Sequence, residues 1–216
     1  MPRSTKTSRF TRRSQRRPEK TKVLIVCEGK ETERNYFDDL KRESAVVKQF
    51  AVTVARGSGG SRLQIVQAAI DKNRSLKTAF DVVWCVMDVE ALSNEEAKAE
   101  LISAIATCSR EGILLALSNP AFEVWFLAHF IRSSRRFINC DAVITELQKH
   151  WKVYFHMDYE KNLIRPYSRL RDRTQFAVDN AQNVCTSDHG GNTDILDCNS
   201  STHVYRLVTY LLTGVH

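Results

Sequence analysis

The chain has no Cys-x-x-Cys pair, only eight Gly and four Pro in 216 residues, and no long apolar run. The scarcity of Gly and Pro, beside a hydrophobic fraction of 43%, excludes collagenous, low-complexity and wholly disordered classes. No stretch reaches the ~20 apolar residues that span a bilayer, and the N-terminus lacks the apolar core of a secretory signal. The six cysteines (Cys27, Cys85, Cys108, Cys140, Cys185 and Cys198) are scattered. Three of them lie within apolar or helical patterns, where Cys acts as a small hydrophobe. Structural zinc is therefore not expected, and a reducing, cytoplasmic location without a membrane is.

What is present is a basic start. Residues 1–22 carry nine Lys/Arg against Glu19, a net of +8. The whole chain sums to +7, so the other 194 residues sum to about −1. Residues 1–21 read as a disordered basic tail that buries too little apolar surface to fold alone. Its Arg12, Arg13, Arg16 and Arg17 suit phosphates of a nucleic acid, or a solvated tail. A mitochondrial transit peptide is disfavoured because Phe10 is the one large apolar side chain between Pro2 and Val23.

Beyond the tail, short apolar runs alternate with helical periodicity. Val23–Cys27, Ala51–Ala55, Asp81–Met87 and Ile113–Leu117 read as strands. Helices are expected over Glu31–Ser44, Ser61–Ser75, a segment capped by Ser93 and ending near Gly112, and Ala121–Phe130 after Pro120. Such alternation predicts an α/β domain, residues 22–132, with a mostly parallel sheet flanked by helices. Residues 133–216 read as mainly helical and packed on that core. Helices are expected there over Asp141–Trp151, Tyr167–Val184 and His203–Leu212, with a polar loop over Ser187–Ser201. No internal repeat is visible.

Ligands of open α/β sheets bind beyond the carboxyl ends of the strands. Glu28 follows the first strand, and Asp88 and Glu90 follow the Asp81–Met87 strand. Residues two apart in extended chain share a side, which predicts that Asp88 and Glu90 converge on one ion. Carboxylates in this pattern suit Mg²⁺ or Mn²⁺ and phosphoryl chemistry, or else they cap helices and face water. Glu123, inside an apolar helix, is either a further metal ligand or the partner of an Arg. Lys30, Arg56 and Arg62 are candidate nucleic-acid contacts, the last two flanking Gly57-Ser-Gly-Gly60, which is a phosphate cradle or a plain turn. No Gly-Lys-Ser/Thr follows, so no ATP site is expected. Arg165, Arg169, Arg171 and Arg173 form a second basic cluster, for a partner or for solvent. His129 is expected to be a core histidine. Asp188-His189-Gly190 and His203 have no recognised ligand spacing.

Four segments resemble the RloB-like family, a prokaryotic group with a Toprim-type fold. They are Ile25–Glu33 with Tyr36-Phe37, Val83–Glu90, Ser118–Phe130 and Asn199–Val208, and the Arg-rich start is similar too. The resemblance implies a Toprim-like, Rossmann-like sheet. It implies that Glu28 does acid/base work and that Asp88 and Glu90 hold Mg²⁺. The chain has Asp-x-Glu where the Toprim motif has Asp-x-Asp. Topoisomerases and primases need more machinery than this length provides, so the resemblance implies a Mg-dependent nuclease acting on DNA or RNA, associated with phage defence and often with a neighbouring ABC- or AAA-type ATPase. Two other readings stand beside it. One is a non-catalytic nucleic-acid-binding or sensor module, and the other a subunit active only with its ATPase. A homo-oligomer is left open.

Overall fold

The computed structural model describes residues 19–57, 60–75, 79–90, 95–188 and 194–215. Arg12, Arg13, Arg16 and Arg17, most of the Gly57–Gly60 turn's centre, the Ser93 cap and the His189-Gly190 pair lie outside the described residues.

The chain runs β1 (Thr21–Cys27), α1 (Thr32–Leu40), α2 (Ser44–Gln49), β2 (Phe50–Arg56), α3 (Arg62–Ser75), β3 (Val82–Asp88), α4 (Glu95–Glu111) and β4 (Leu114–Asn119). Then come α5 (Glu123–Ala128), α6 (Cys140–Phe155), α7 (Pro166–Leu170), a 3-10 turn (Arg171–Arg173), α8 (Thr174–Asn183), a π-helical turn (Val184–Asp188), β5 (Ser201–Thr202) and α9 (Val204–Thr213). The sheet order is β2-β1-β3-β4-β5. The first four strands are parallel, and β5 pairs antiparallel with Ser118 and Asn119. The expected α/β class with a mostly parallel sheet therefore holds.

Both sheet faces are covered, which is why the strands read as unbroken apolar runs. Val23, Ile25 and Cys27 face α1, α5, α6, α8 and α9, with Tyr36, Trp125 and Trp151 fully buried among them. Leu24 and Val26 face α3 and α4. The helices after residue 133 thus complete one of the two cores.

Three sequence expectations are revised. The helix expected over Glu31–Ser44 is broken, because Glu43 caps Ser44 N–H and starts a second helix. The helix expected over Tyr167–Val184 is three pieces, starting from Pro166 in its first turn. The polar loop ends in a strand, β5, whose two residues are too few to leave a periodic signal. In addition, α6 extends to Phe155 and is capped at its start by the Asn139 side chain on Ala142 N–H, 3.0 Å.

Candidate active site

The chain leaves β1 toward β2 on one side and returns to β3 on the other, so strand order reverses between β1 and β3. The α1 connection lies on one face there and α4 on the other, which opens a crevice at the carboxyl ends of the strands. A cleft of about 410 Å³ occupies it, lined by Glu28, Lys30, Glu33, Asp88, Glu90, Glu123 and Lys161 among others.

Glu28 continues the ladder beyond β1, its N–H donating to Val86 C=O at 3.0 Å. Its Oε2 accepts the Asp88 backbone N–H at 2.9 Å, so the ends of β1 and β3 are tied through this carboxylate. Burial raises the Glu28 carboxyl above its ordinary range, opposed by that N–H and by Arg62. Asp88 is half-buried, but its Oδ1 is shut off from solvent and has no hydrogen-bond partner. Burial, then the negative charges of Glu33, Glu28 and Glu123, push its carboxyl well up.

Glu33 escaped the reading of single residues, although it stands inside the first family-like segment. It is 5% exposed, and its Oε1 accepts Gly29 N–H at 3.1 Å. A Cβ at residue 29 would meet this carboxylate, so a side chain there requires Glu33 to move. Burial, with Glu123 and Glu28 nearby, raises Glu33 from 4.5 to about 7.

Glu123 opens α5 and is 3% exposed. Its partners are Tyr159 O–H at 3.2 Å, Cys140 Sγ–H at 3.4 Å and the Lys161 ammonium at 3.9 Å. The cation expected as Arg is thus a lysine from a segment far along the chain, which no spacing signal could reveal. Lys161 also donates to Cys140 Sγ at 3.2 Å. Burial alone would lower this lysine, but Glu123, Cys140 and Asp88 outweigh it and leave it raised.

Glu90 departs from the expected convergence. Strand β3 stops at Asp88, and Glu90 has a left-handed backbone, φ 54°, fixed by its N–H on Pro120 C=O at 2.8 Å. The two-residue alternation that would align it with Asp88 holds only in extended chain. Its side chain is 66% exposed and pairs with Arg62 at 3.6 Å. Arg62, expected at a phosphate, is instead turned inward. Its Nε and Nη2 donate to Asp88 and Val89 C=O at 3.1 and 3.0 Å, locking the loop that carries the acids. Lys30 lines the cleft and is exposed, and Arg56 is exposed at the end of β2.

His129 is fully buried, with Nδ1 2.9 Å from Trp125 C=O, and burial lowers it to about 3. It is the core histidine expected. Asp188 receives Arg132 Nε–H at 2.8 Å, His203 lines a separate hollow and is lowered by burial to about 4, and neither lines the cleft.

The donor set suits a hard cation. Asp88 Oδ1 is an orphaned acceptor, and burial, with the neighbouring carboxylates, raises Glu28, Glu33 and Asp88. Mg²⁺ keeps several waters and needs only one or two carboxylates, which Glu28 and Asp88 provide. Among the described residues no group of three or more His, Cys, Asp or Glu is gathered tightly enough to form a ready ligand cage, and none of the helices is long and apolar enough to cross a membrane.

The sequence model of the family described as RloB-like protein matches residues 23–211. No curated protein and no solved structure matches the chain.

Proposed function

The chain belongs to the RloB-like family, and from that premise we propose that it is a metal-dependent nuclease of Toprim type, cleaving phosphodiester bonds in DNA or RNA at the Glu28–Asp88 cleft. The observation that carries this reading is the acid cluster at the strand switch point: Glu28, whose carboxylate accepts the Asp88 backbone N–H at 2.9 Å, stands beside an Asp88 carboxylate whose Oδ1 has no hydrogen-bond partner, in the cleft that Glu33 and Glu123 also line. When bound, Mg²⁺ or Mn²⁺ supplies polarisation of a phosphoryl oxygen and an activated water. Glu28 and Asp88 would hold the cation. Glu33, titrating near neutrality, takes up or returns the proton of the attacking water. Lys161, in the wall of the same cleft, offers its ammonium to the phosphate. Arg62 keeps the Asp88–Glu90 loop in place by its two carbonyl bonds.

Work in antiphage defence, in the cytoplasm and beside a partner ATPase, belongs to this proposal on family resemblance alone. A second reading, a nucleic-acid-binding or sensor module without catalysis, is favoured by one observation. Glu90, the second acid of the motif, is paired with Arg62, and its left-handed backbone takes it off the strand alternation it would share with Asp88.

Plasmid DNA, single-stranded DNA and total tRNA, each incubated with Mg²⁺ or Mn²⁺, test the choice. The expected result is cleavage by wild type and a loss of at least about 100-fold in Glu28→Gln and Asp88→Asn, a size that removal of a metal ligand or charge-stabilising group produces. Wild type inert on every substrate, alone and with the ATPase added, removes the nuclease reading and leaves the binding module.

A further inference from the structure

Residues 159–171 run as a strap beside α1, in the same direction, starting at the cleft. Thr32 Oγ1–H donates to Lys161 C=O at 3.1 Å, and Asn35 Nδ2–H to Leu163 C=O at 3.2 Å. Asp39 Oδ2 accepts Ser168 N–H at 2.6 Å. Two further hollows open along this seam, of about 250 and 330 Å³, and they share Asp39, Arg42 and Arg165 in their walls. Two of the acids there lie deeper than their bases, while Asp38, in the wall of the smaller hollow, is partly exposed and pairs with Arg34 and Lys41. The Asp39 and Glu43 side chains are 3% and 14% exposed, while their partners Arg165 and Arg171 are 64% and 58% exposed. Each carboxylate holds its guanidinium from below, at 3.5 and 2.8 Å. A guanidinium carries five N–H donors, so one such bond leaves a fixed fork directed outward. Arg42 is exposed between the two, and Ile164, 77% exposed, adds apolar surface beside them.

We propose that this seam is the path of a single-stranded polynucleotide, its phosphates passing from Lys161 at the cleft to Arg42, Arg165 and Arg171. The inference rests on the nucleic-acid reading of the cleft and adds the route and the strandedness. One row of cations matches one backbone, not the two of a duplex. Along α1, Thr32–Leu40, the helical rise gives about 13 Å, room for about four phosphates of a stacked strand at roughly 3.4 Å each. The buried carboxylates hold the guanidiniums in place and offset part of their charge, so the phosphates are met by the N–H donors that each pair leaves free.

Fluorescence anisotropy with 12-nucleotide single-stranded DNA and RNA, in EDTA and across 50 to 200 mM salt, tests the path apart from cleavage. Wild type is expected to bind one or both single strands more tightly than duplex of the same sequence. Arg42→Ala and Arg165→Ala are each expected to flatten the log–log salt slope by about 0.7, and together by about 1.4. Arg74→Ala, on α3 against the other sheet face, is expected to leave the slope unchanged. Arg42→Ala breaks none of the bonds that dock the strap, so its slope reads contact and not folding. An unaltered slope in Arg42→Ala and in the double variant, a preference for duplex, or no binding of either single strand overturns the path. Metal-dependent cleavage that needs Asp88 but ignores Arg42 and Arg165 would leave the cleft reading standing and the path refuted. Slope effects without any cleavage would do the reverse.

Discussion

Replacing Glu33 by Gln should stabilise the metal-free protein, and only above a certain pH. The native Glu33 carboxyl titrates near 7 instead of 4.5 because it is 5% exposed and stands among Glu28, Asp88 and Glu123. Between pH 4.5 and 7 the folded chain keeps a proton that the unfolded chain has lost. Stability therefore falls as pH rises through that window and levels off above it. At 1.36 kcal/mol per pH unit, the difference between 4.5 and about 7 corresponds to about 3 kcal/mol of destabilisation at pH 8. Gln keeps an oxygen for Gly29 N–H, now held at 3.1 Å, and removes the charge. Thermal unfolding in EDTA should show Glu33→Gln melting about 6–12 °C above wild type at pH 8, at roughly 2–4 °C per kcal/mol for a chain this size, and level with it near pH 4.5. Added Mg²⁺ should narrow the gap by stabilising wild type more than the variant. A variant less stable than wild type at pH 8, or a difference independent of pH, would refute the idea that carboxylate crowding strains the cleft.

Arg62→Leu removes two bonds from a buried guanidinium to the carbonyls of Asp88 and Val89. A loss of about 2–4 kcal/mol is expected by chemical denaturation, with weaker Mg²⁺ binding because the Asp88 loop is released. A loss below about 0.5 kcal/mol would show that the loop holds itself. Gly29→Ala forces the Glu33 carboxylate aside. Its pH-dependent destabilisation should shrink toward that of Glu33→Gln, read by the same pair of melting curves at pH 4.5 and 8. An unchanged pH difference would mean that the carboxylate keeps its burial.

What the sequence determined by itself is whatever repeats with a period or follows from it. Val23–Cys27 and Val82–Met87 are strands because a sheet covered on both faces needs every residue apolar, and that need is written consecutively in the chain. That Glu28 and Asp88 meet at one rim was legible because strand ends in a parallel sheet point the same way, so position along the chain fixed position in space. Tertiary structure alone decided the rest. Glu90 looked equivalent to Asp88 until the left-handed backbone at φ 54° turned it toward Arg62. Arg62 looked like a phosphate contact beside a glycine turn, yet the carbonyls of the β3 end, 26 and 27 residues on, claim it. Lys161, Tyr159 and Cys140 reach Glu123 from the helical C-terminal part, and the strap meets α1 across about 130 residues. Contacts closed over such separations leave no periodic trace, because the chain between them is free to differ. They arise only when the core that α6 and α9 complete brings those segments back to the rim.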